Sequence, residues 1–272
     1  MALTDRPDTL KSYVSLAELD AIGIDWTDDS HIDHFEISGA ARTDRGLKRE
    51  HNEDAWVVCP ELRLYAVADG MGGRRGGDIA SNLALQSLRE NIAASADPNV
   101  DESRRVLTEA IEQANADVFA CAIDSISRRG MGTTLTALWI RGDRAIVGHV
   151  GDSRVYRLRD GHLDRLTDDH SLAAAFARAG EEAHPRFSHV LTRAVGTRPE
   201  VMVDTRTVDV RPGDRFLLCS DGLTGMVEDD RIFELLSTAL SADEAADDLL
   251  QAALRAGGKD NVTALVIDVE EH

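Results

Sequence analysis

Residues 65–81 read YAVADGMGGRRGGDIAS. The stretch opens as an apolar run suited to a buried strand and closes on a carboxylate, Asp69. Five glycines follow within the eight residues Gly70–Gly77, and a helical pattern begins directly after them. Two chemistries use such a turn. Glycines at the start of a helix can cradle phosphate groups, and an aspartate at a strand end can hold a metal ion. The phosphate reading fails on spacing. No lysine followed by serine or threonine closes the turn, so there is no Walker pattern. Gly70-Met71-Gly72 begins a dinucleotide fingerprint, but position 75, where its third glycine belongs, is Arg75.

The same ending recurs along the chain. FLLCSDG closes on Asp221-Gly222, IVGHVGDSR carries Asp152, and GGKDNVTALVIDV starts a strand immediately after Asp260. Any one Asp-Gly pair is a turn signal. Four carboxylates at the mouths of apolar strands are a different matter. Like charges gathered there raise one another's pKa and oppose folding. A divalent cation reverses that cost. Oxygen ligands select magnesium or manganese over zinc or copper. A glycine after a ligand aspartate lets the chain turn sharply, with its carbonyl free to face the same ion.

The rest of the composition excludes several classes. The 272 residues carry 49 acidic and 30 basic side chains, a net charge of −19. Such a surface repels nucleic acid and anionic lipid unless basic residues cluster, and Arg74-Arg75-Gly76 and Arg128-Arg129-Gly130 are too short to do so. Cys59, Cys121 and Cys219 are scattered, with no CxxC pair, which speaks against a disulfide framework or structural zinc and for a reducing, cytoplasmic setting. The first thirty residues hold seven acidic side chains, unlike a signal peptide. No apolar run reaches the length of a membrane span.

Residues 1–34 form an acidic extension with one short helix expected over Thr9–Ala21. From Phe35 onward strands come in antiparallel groups and helices in pairs. FEISGAART, AWVV, LRLYAVA, TTLTALWI, RAIVGHV, MVDTRTVDV, DRFLLCS and NVTALVIDV read as strands. RVYRLRDGHLDRL reads as a hairpin turning at Asp160-Gly161. Helices are expected over 77–95, 101–127, 228–239 and 242–256, and the segment 168–190 is helical and then broken at Pro185. This is α+β layering rather than alternating βαβ.

Taken together, GLKREHNEDAW, YAVADGMGGRRGGDIAS, MGTTLTAL, HVGDSRVYRLRDG, HVLTRAVG, FLLCSDGLTGMV and GGKDNVTALVI resemble the metal-dependent serine/threonine protein phosphatases, the PPM or type 2C family, in bacterial form. The matches run in the family's order over residues 37–269. The resemblance implies a four-layer α-β-β-α sandwich with a central pair of antiparallel sheets and a metal centre at one end. It implies two core Mn2+ or Mg2+ ions, with a third more weakly held, and a water between the core ions that attacks phosphorus. Carried over, Asp69 bridges both ions, the Gly70 carbonyl joins the second, and Asp221 and Asp260 complete the first. Glu53 and Asp54 lie beside the second and bind it or its waters. Asp152, with Asp221, serves the third, and Asn261 supports the ligands through hydrogen bonds. Arg49, by itself an ordinary surface charge, matches the arginine that grips the phosphate with both arms of its fork.

The cysteine route to phosphate hydrolysis is closed. It needs an arginine six residues after the thiol, where this chain has Tyr65, Ser127 and Gly225. One departure concerns the proton donor to the leaving group. Many animal members place histidine after the first Asp-Gly, and Met71 stands there. His51, His170 and His184 are candidates by proximity in sequence, and the general acid stays unassigned. The expected substrates are phosphorylated serine and threonine on proteins, in opposition to a bacterial-type Ser/Thr kinase, with the enzyme a monomer. Two alternatives are a phosphatase dedicated to one phosphorylated regulator and a non-catalytic phosphoprotein-binding module. The second would be expected to lose metal aspartates, whereas Asp69, Asp221 and Asp260 are present. Segment 168–190 corresponds to the family's variable flap beside the cleft.

Overall fold

The computed structural model describes residues 35–72, 76–95, 99–181, 184, 187 and 190–271. The helix expected over Thr9–Ala21, and the acidic extension as a whole, lie outside them. Among the described residues eleven strands form two antiparallel sheets. The first sheet orders β1 (Phe35–Asp44), β11 (Val262–Glu271), β10 (Arg215–Cys219), β7 (Arg154–Arg159) and β8 (His162–Arg165). The second orders β2 (Asp54–Cys59), β3 (Leu64–Met71), β5 (Leu135–Arg141), β6 (Arg144–Val150) and β9 (Asp204–Asp209), and the short β4 (Gly132–Thr133) pairs with the end of β3.

Both faces of each sheet are covered, so the central strands read as continuous apolar runs. Alternation sorts their side chains between two cores. In β3, Leu64, Ala66 and Ala68 pack under α1 (Gly77–Ala94) and α2 (Val100–Ile123), against Leu85, Leu88, Leu107 and Ile111. Tyr65 and Val67 face the opposite sheet, where they meet Phe216, Leu218, Leu265 and Ile267. The other faces of β10 and β11, Leu217, Cys219, Ala264 and Val266, pack against α5 (Asp229–Thr238) and α6 (Ala242–Arg255) through Ile232, Leu236, Leu249 and Ala253. The layers are therefore helices, sheet, sheet, helices, as the resemblance implied.

Local chemistry fixes the element ends. Asp160 and Gly161 both take positive φ, 50° and 73°, in the two-residue turn that joins β7 and β8. The Asn99 side chain accepts the Glu102 amide at 3.0 Å and starts α2. That helix stops at Ile123, and the last turn expected from the sequence is a separate 3₁₀ turn, Ile126–Arg128, begun by Ser125. The short α3 (Leu172–Arg178) is capped by Ser171 and lies in the expected flap. A further short helix, α4 (Asp221–Thr224), starts at the second Asp-Gly pair, where the sequence suggested only a turn.

Antiparallel pairing decides where the carboxylates go. β2 and β11 begin, and β3, β6 and β10 end, at one end of the sandwich. Residues immediately outside those strand ends therefore share a rim.

Candidate metal centre

That rim encloses a cleft of about 620 Å³. Five carboxylates line it, Glu53, Asp69, Asp152, Asp221 and Asp260, together with Gly70, Arg49 and Lys259. Every ligand candidate from the sequence except Asp54 reaches the cleft. Asp54 pairs with Asp69 across β2 and β3 and is buried behind it. Its Oδ2 accepts hydrogen bonds from Ser220 Oγ and Thr263 Oγ1, each at 2.7 Å. Its buried Oδ1 has no hydrogen-bond partner among the described residues.

The electrostatics follow from this crowding. Burial, only partly offset by the two hydroxyls, pushes the Asp54 pKa up to about 7, with Asp221 and Asp260 adding to the rise. Burial likewise raises Asp69 well above the usual carboxylate range, and the charges of Asp54, Asp221, Asp152 and Asp260 push the same way. A set of oxygen donors with too much negative charge is what a hard divalent cation neutralises. Among the described residues no three carboxylate, imidazole or thiol groups are drawn tightly enough together to hold an ion as they stand. Ions in this cleft would take part of their shell from water, as magnesium characteristically does.

The backbone around Asp69 is held by hydroxyls. Thr134 Oγ1 accepts the Asp69 amide at 2.8 Å, and the Thr134 amide and Thr133 Oγ1 both donate to the Asp69 carbonyl at 2.9 Å. Thr134 Oγ1 also shares a hydrogen bond of 2.8 Å with Ser153 Oγ, beside Asp152. The glycines permit close approach. A Cβ on Gly70 would lie 2.1 Å from the Gly77 carbonyl oxygen, and one on Gly77 would lie 2.6 Å from Glu53 Cδ. Glu53 therefore reaches the cleft across a surface that only glycine leaves open.

Asn261 makes three hydrogen bonds to the backbone beside the cleft. Its Oδ1 accepts the Glu53 amide at 2.8 Å, and its Nδ2 donates to the carbonyls of Arg45 and His51 at 2.9 and 2.8 Å. One side chain thus clasps the loop that carries both Arg49 and Glu53. Arg49 is half exposed and donates from Nη2 to Asp260 Oδ2 at 2.6 Å.

None of the three histidines considered as proton donors lines this cleft. His51 is exposed and contributes only its carbonyl to Asn261. His184 packs edge-on against Phe187, at 6.4 Å between centroids. His170 is buried, with both ring nitrogens engaged. The residues that sequence reasoning passed over are the supporting hydroxyls Thr133, Thr134, Ser153, Ser220 and Thr263. Their signal was available, since hydroxyl residues stand where the flanking strands are otherwise apolar.

The family model described as protein phosphatase 2C matches residues 39–257. The chain belongs to the protein phosphatase 2C family. It is 38% identical over 237 residues to the serine/threonine phosphatase Stp of Listeria monocytogenes, covering 84% of this chain and 94% of that one. The crystal structure of the Mycobacterium tuberculosis serine/threonine phosphatase PstP/Ppp superposes with a TM-score of 0.79 at 38% identity, over 87% of this chain and 99% of that chain. The PstP catalytic domain in complex with two manganese ions gives the same TM-score and identity, over 87% and 100% of the chains. The protein phosphatase 2C assignment agrees with the layered fold built above from the strand pattern. No helix among the described residues is long and apolar enough to cross a membrane.

Proposed function

We propose that this cleft hydrolyses phosphoserine and phosphothreonine monoesters on proteins with the help of divalent metal ions. The chain is a metal-dependent protein serine/threonine phosphatase by family and by its relatives. The residue roles are our reading. The observation that carries them is the set of five carboxylates, several of them mutually repelling, at the meeting of five strand ends.

The residues that would hold two core ions are Asp69, the Gly70 carbonyl, Asp221, Asp260 and Glu53. Asp152 and Asp221 would hold a third. Manganese fits this set, and so does magnesium. Ions bound there supply Lewis acidity to the phosphoryl oxygens and lower the pKa of a water enough for attack on phosphorus. Asp54 acts from behind. Its ionised carboxylate fixes Ser220 and Thr263, and through them the strand ends that carry Asp221 and Asp260. Arg49 stands at the rim with one arm on Asp260. Its planar fork suits two phosphoryl oxygens at once. Asn261 holds Arg49 and Glu53 in register with Asp260.

Substrates are phosphorylated proteins, and a bacterial-type Ser/Thr kinase and its targets are the partners we propose, for a monomeric enzyme acting in the cytoplasm. The domain runs from residue 35 to 272, with residues 1–34 as an extension and 168–190 as a flap. The flap tunes substrate choice and product release. The test is hydrolysis of p-nitrophenyl phosphate and of a phosphothreonine peptide with manganese, magnesium or chelator, comparing wild type with Asp221→Asn. Manganese-dependent turnover, abolished by chelator and largely lost in the variant, is expected. Turnover that survives chelation, or an Asp221→Asn variant as active as wild type, would refute the metal assignment.

A further inference from the structure

Asp152, like Glu53, stands on a connection between the two sheets, in its case between the end of β6 and the start of β7. Both of its neighbours are tied down. Ser153 is bonded to Thr134 at 2.8 Å, as described above. Gly151 exchanges two hydrogen bonds with a single residue, His170. The His170 amide donates to the Gly151 carbonyl at 2.7 Å, and the Gly151 amide donates to His170 Nδ1 at 3.1 Å. Gly151 has φ +121°, and a Cβ there would come within 2.5 Å of Thr134 Cγ2. The peptide is therefore wedged between the threonine that holds Asp69 and the ring of His170.

The ring has one tautomer compatible with these contacts. Nδ1 accepts an amide, so its lone pair is free and the proton sits on Nε2. Nε2 faces Asp204 Oδ2 at 3.0 Å. Arg193 grips the same carboxylate at 2.6 and 3.2 Å. Burial lowers the pKa of His170, which keeps the neutral form that Nδ1 acceptance requires. His170 also accepts the Thr192 amide on its carbonyl at 2.8 Å, next to Leu191, which lines the cleft.

We propose that His170 is a positioning residue for Asp152: with its tautomer fixed by Asp204, it accepts the Gly151 amide and sets where the Asp152 carboxylate enters the cleft. It does not touch the reacting atoms. The same ring joins the two ends of the flap, since residue 170 precedes α3 and bonds to residue 192 beyond it. The inference rests on the metal role proposed for Asp152.

The test compares His170→Ala, His170→Asn and Asp204→Asn with wild type. Asparagine places a carbonyl oxygen near the position of Nδ1, so it can still accept the Gly151 amide. The first measurement is amide hydrogen exchange over Gly151–Ser153 in metal-free protein. The second is manganese binding by calorimetric titration. We expect His170→Ala to lose protection over this segment and to weaken the lowest-affinity manganese event by roughly 10–100-fold, the usual effect of removing a group that orients a ligand. His170→Asn restores most of both, and Asp204→Asn falls between. Manganese isotherms that coincide for His170→Ala and wild type, with only the melting temperature lowered, would overturn the proposal. So would unchanged exchange at Gly151. Absence of manganese binding in wild type would instead refute the proposed function, and the exchange measurement alone would then decide whether His170 holds the Asp152 peptide.

Discussion

Replacing Asp69 by asparagine should stabilise the metal-free protein and destabilise the metal-loaded one relative to wild type. Asp69 and Asp54 are directly opposed on β2 and β3. Directly opposed residues place their Cβ atoms about 5 Å apart. Two charges at ~5 Å repel by about 3 kcal/mol at an effective dielectric constant of ~20. Burial and its neighbours hold Asp69 well above the usual carboxylate range, so metal-free wild type meets this cost as repulsion or as a proton taken up on Asp69. Asp69→Asn removes it either way, and at this chain length each kcal/mol moves the melting temperature by about 2–4 °C. The metal-free variant should therefore melt several degrees above metal-free wild type at pH 8. Burial holds the Asp54 carboxyl up to about 7, so below that pH it carries a proton and the repulsion fades. The sign follows from linkage. A carboxyl whose folded pKa lies above its unfolded value favours folding at low pH, and that advantage is lost as pH rises from about 4 to 7. The gap between variant and wild type should accordingly shrink at pH 6. Manganese at about 1,000 times its dissociation constant adds about 4.1 kcal/mol to wild type and little to the variant, which reverses the order of the two melting curves. Differential scanning calorimetry at pH 8 and pH 6, with chelator or manganese, reads all four conditions. A metal-free Asp69→Asn protein less stable than wild type at pH 8, or one with an undiminished manganese shift, would show that the carboxylates do not repel as argued.

Other expectations are narrower. Burial lowers the His149 pKa to about 3, so from pH 7 down to pH 5 the unfolded chain takes up a proton that the folded state refuses. The resulting loss is about 2 kcal/mol, and urea unfolding at the two pH values should show it as the difference between wild type and His149→Gln. Thr134→Val leaves the Asp69 amide and Ser153 without their shared partner, at a cost of about 1–3 kcal/mol in urea unfolding, and lowers kcat more than it raises KM. Gly77→Ala drives a methyl group into Glu53. It should raise the manganese concentration needed for half-maximal turnover while circular dichroism stays native, and an unaltered manganese requirement would remove Glu53 from the ligand set. Deleting the flap should change kinetics on a phosphoprotein more than on an aryl phosphate, and identical kinetics on both would count against its proposed role.

Much of the fold was legible because strand and helix periods differ and the apolar runs are long. Leu64 to Ala68 declares a strand covered on both faces, and Asp160-Gly161 declares its turn. Asp69, Asp152, Asp221 and Asp260 were legible for a local reason, since an aspartate beside an apolar run is visible within a few residues of sequence, whereas Glu53 came only with the family resemblance. What stayed hidden is long-range. Asp54 reads as part of the same acidic pair as Glu53, yet adjacent strand positions point to opposite faces. Its place is set by Ser220, which lies 166 residues away. His170 reads as one histidine among nine, and only folding brings it to Gly151. The 3₁₀ turn at Ile126–Arg128 escaped because helical periodicity continues through Ser125, whose side chain bonds locally and ends the helix.

The cleft straddles the seam of the sandwich. Asp69 leaves the sheet of β3, whereas Asp221 and Asp260 adjoin β10 and β11 of the other. Whatever grips all three is also a rivet between two plates that pack through side chains such as Val67 and Phe216. Catalytic readiness and resistance to sheet slippage are then one mechanical property. A substitution deep in the seam, far from any phosphate, could disarm the enzyme by sliding one plate a fraction of an ångström past the other.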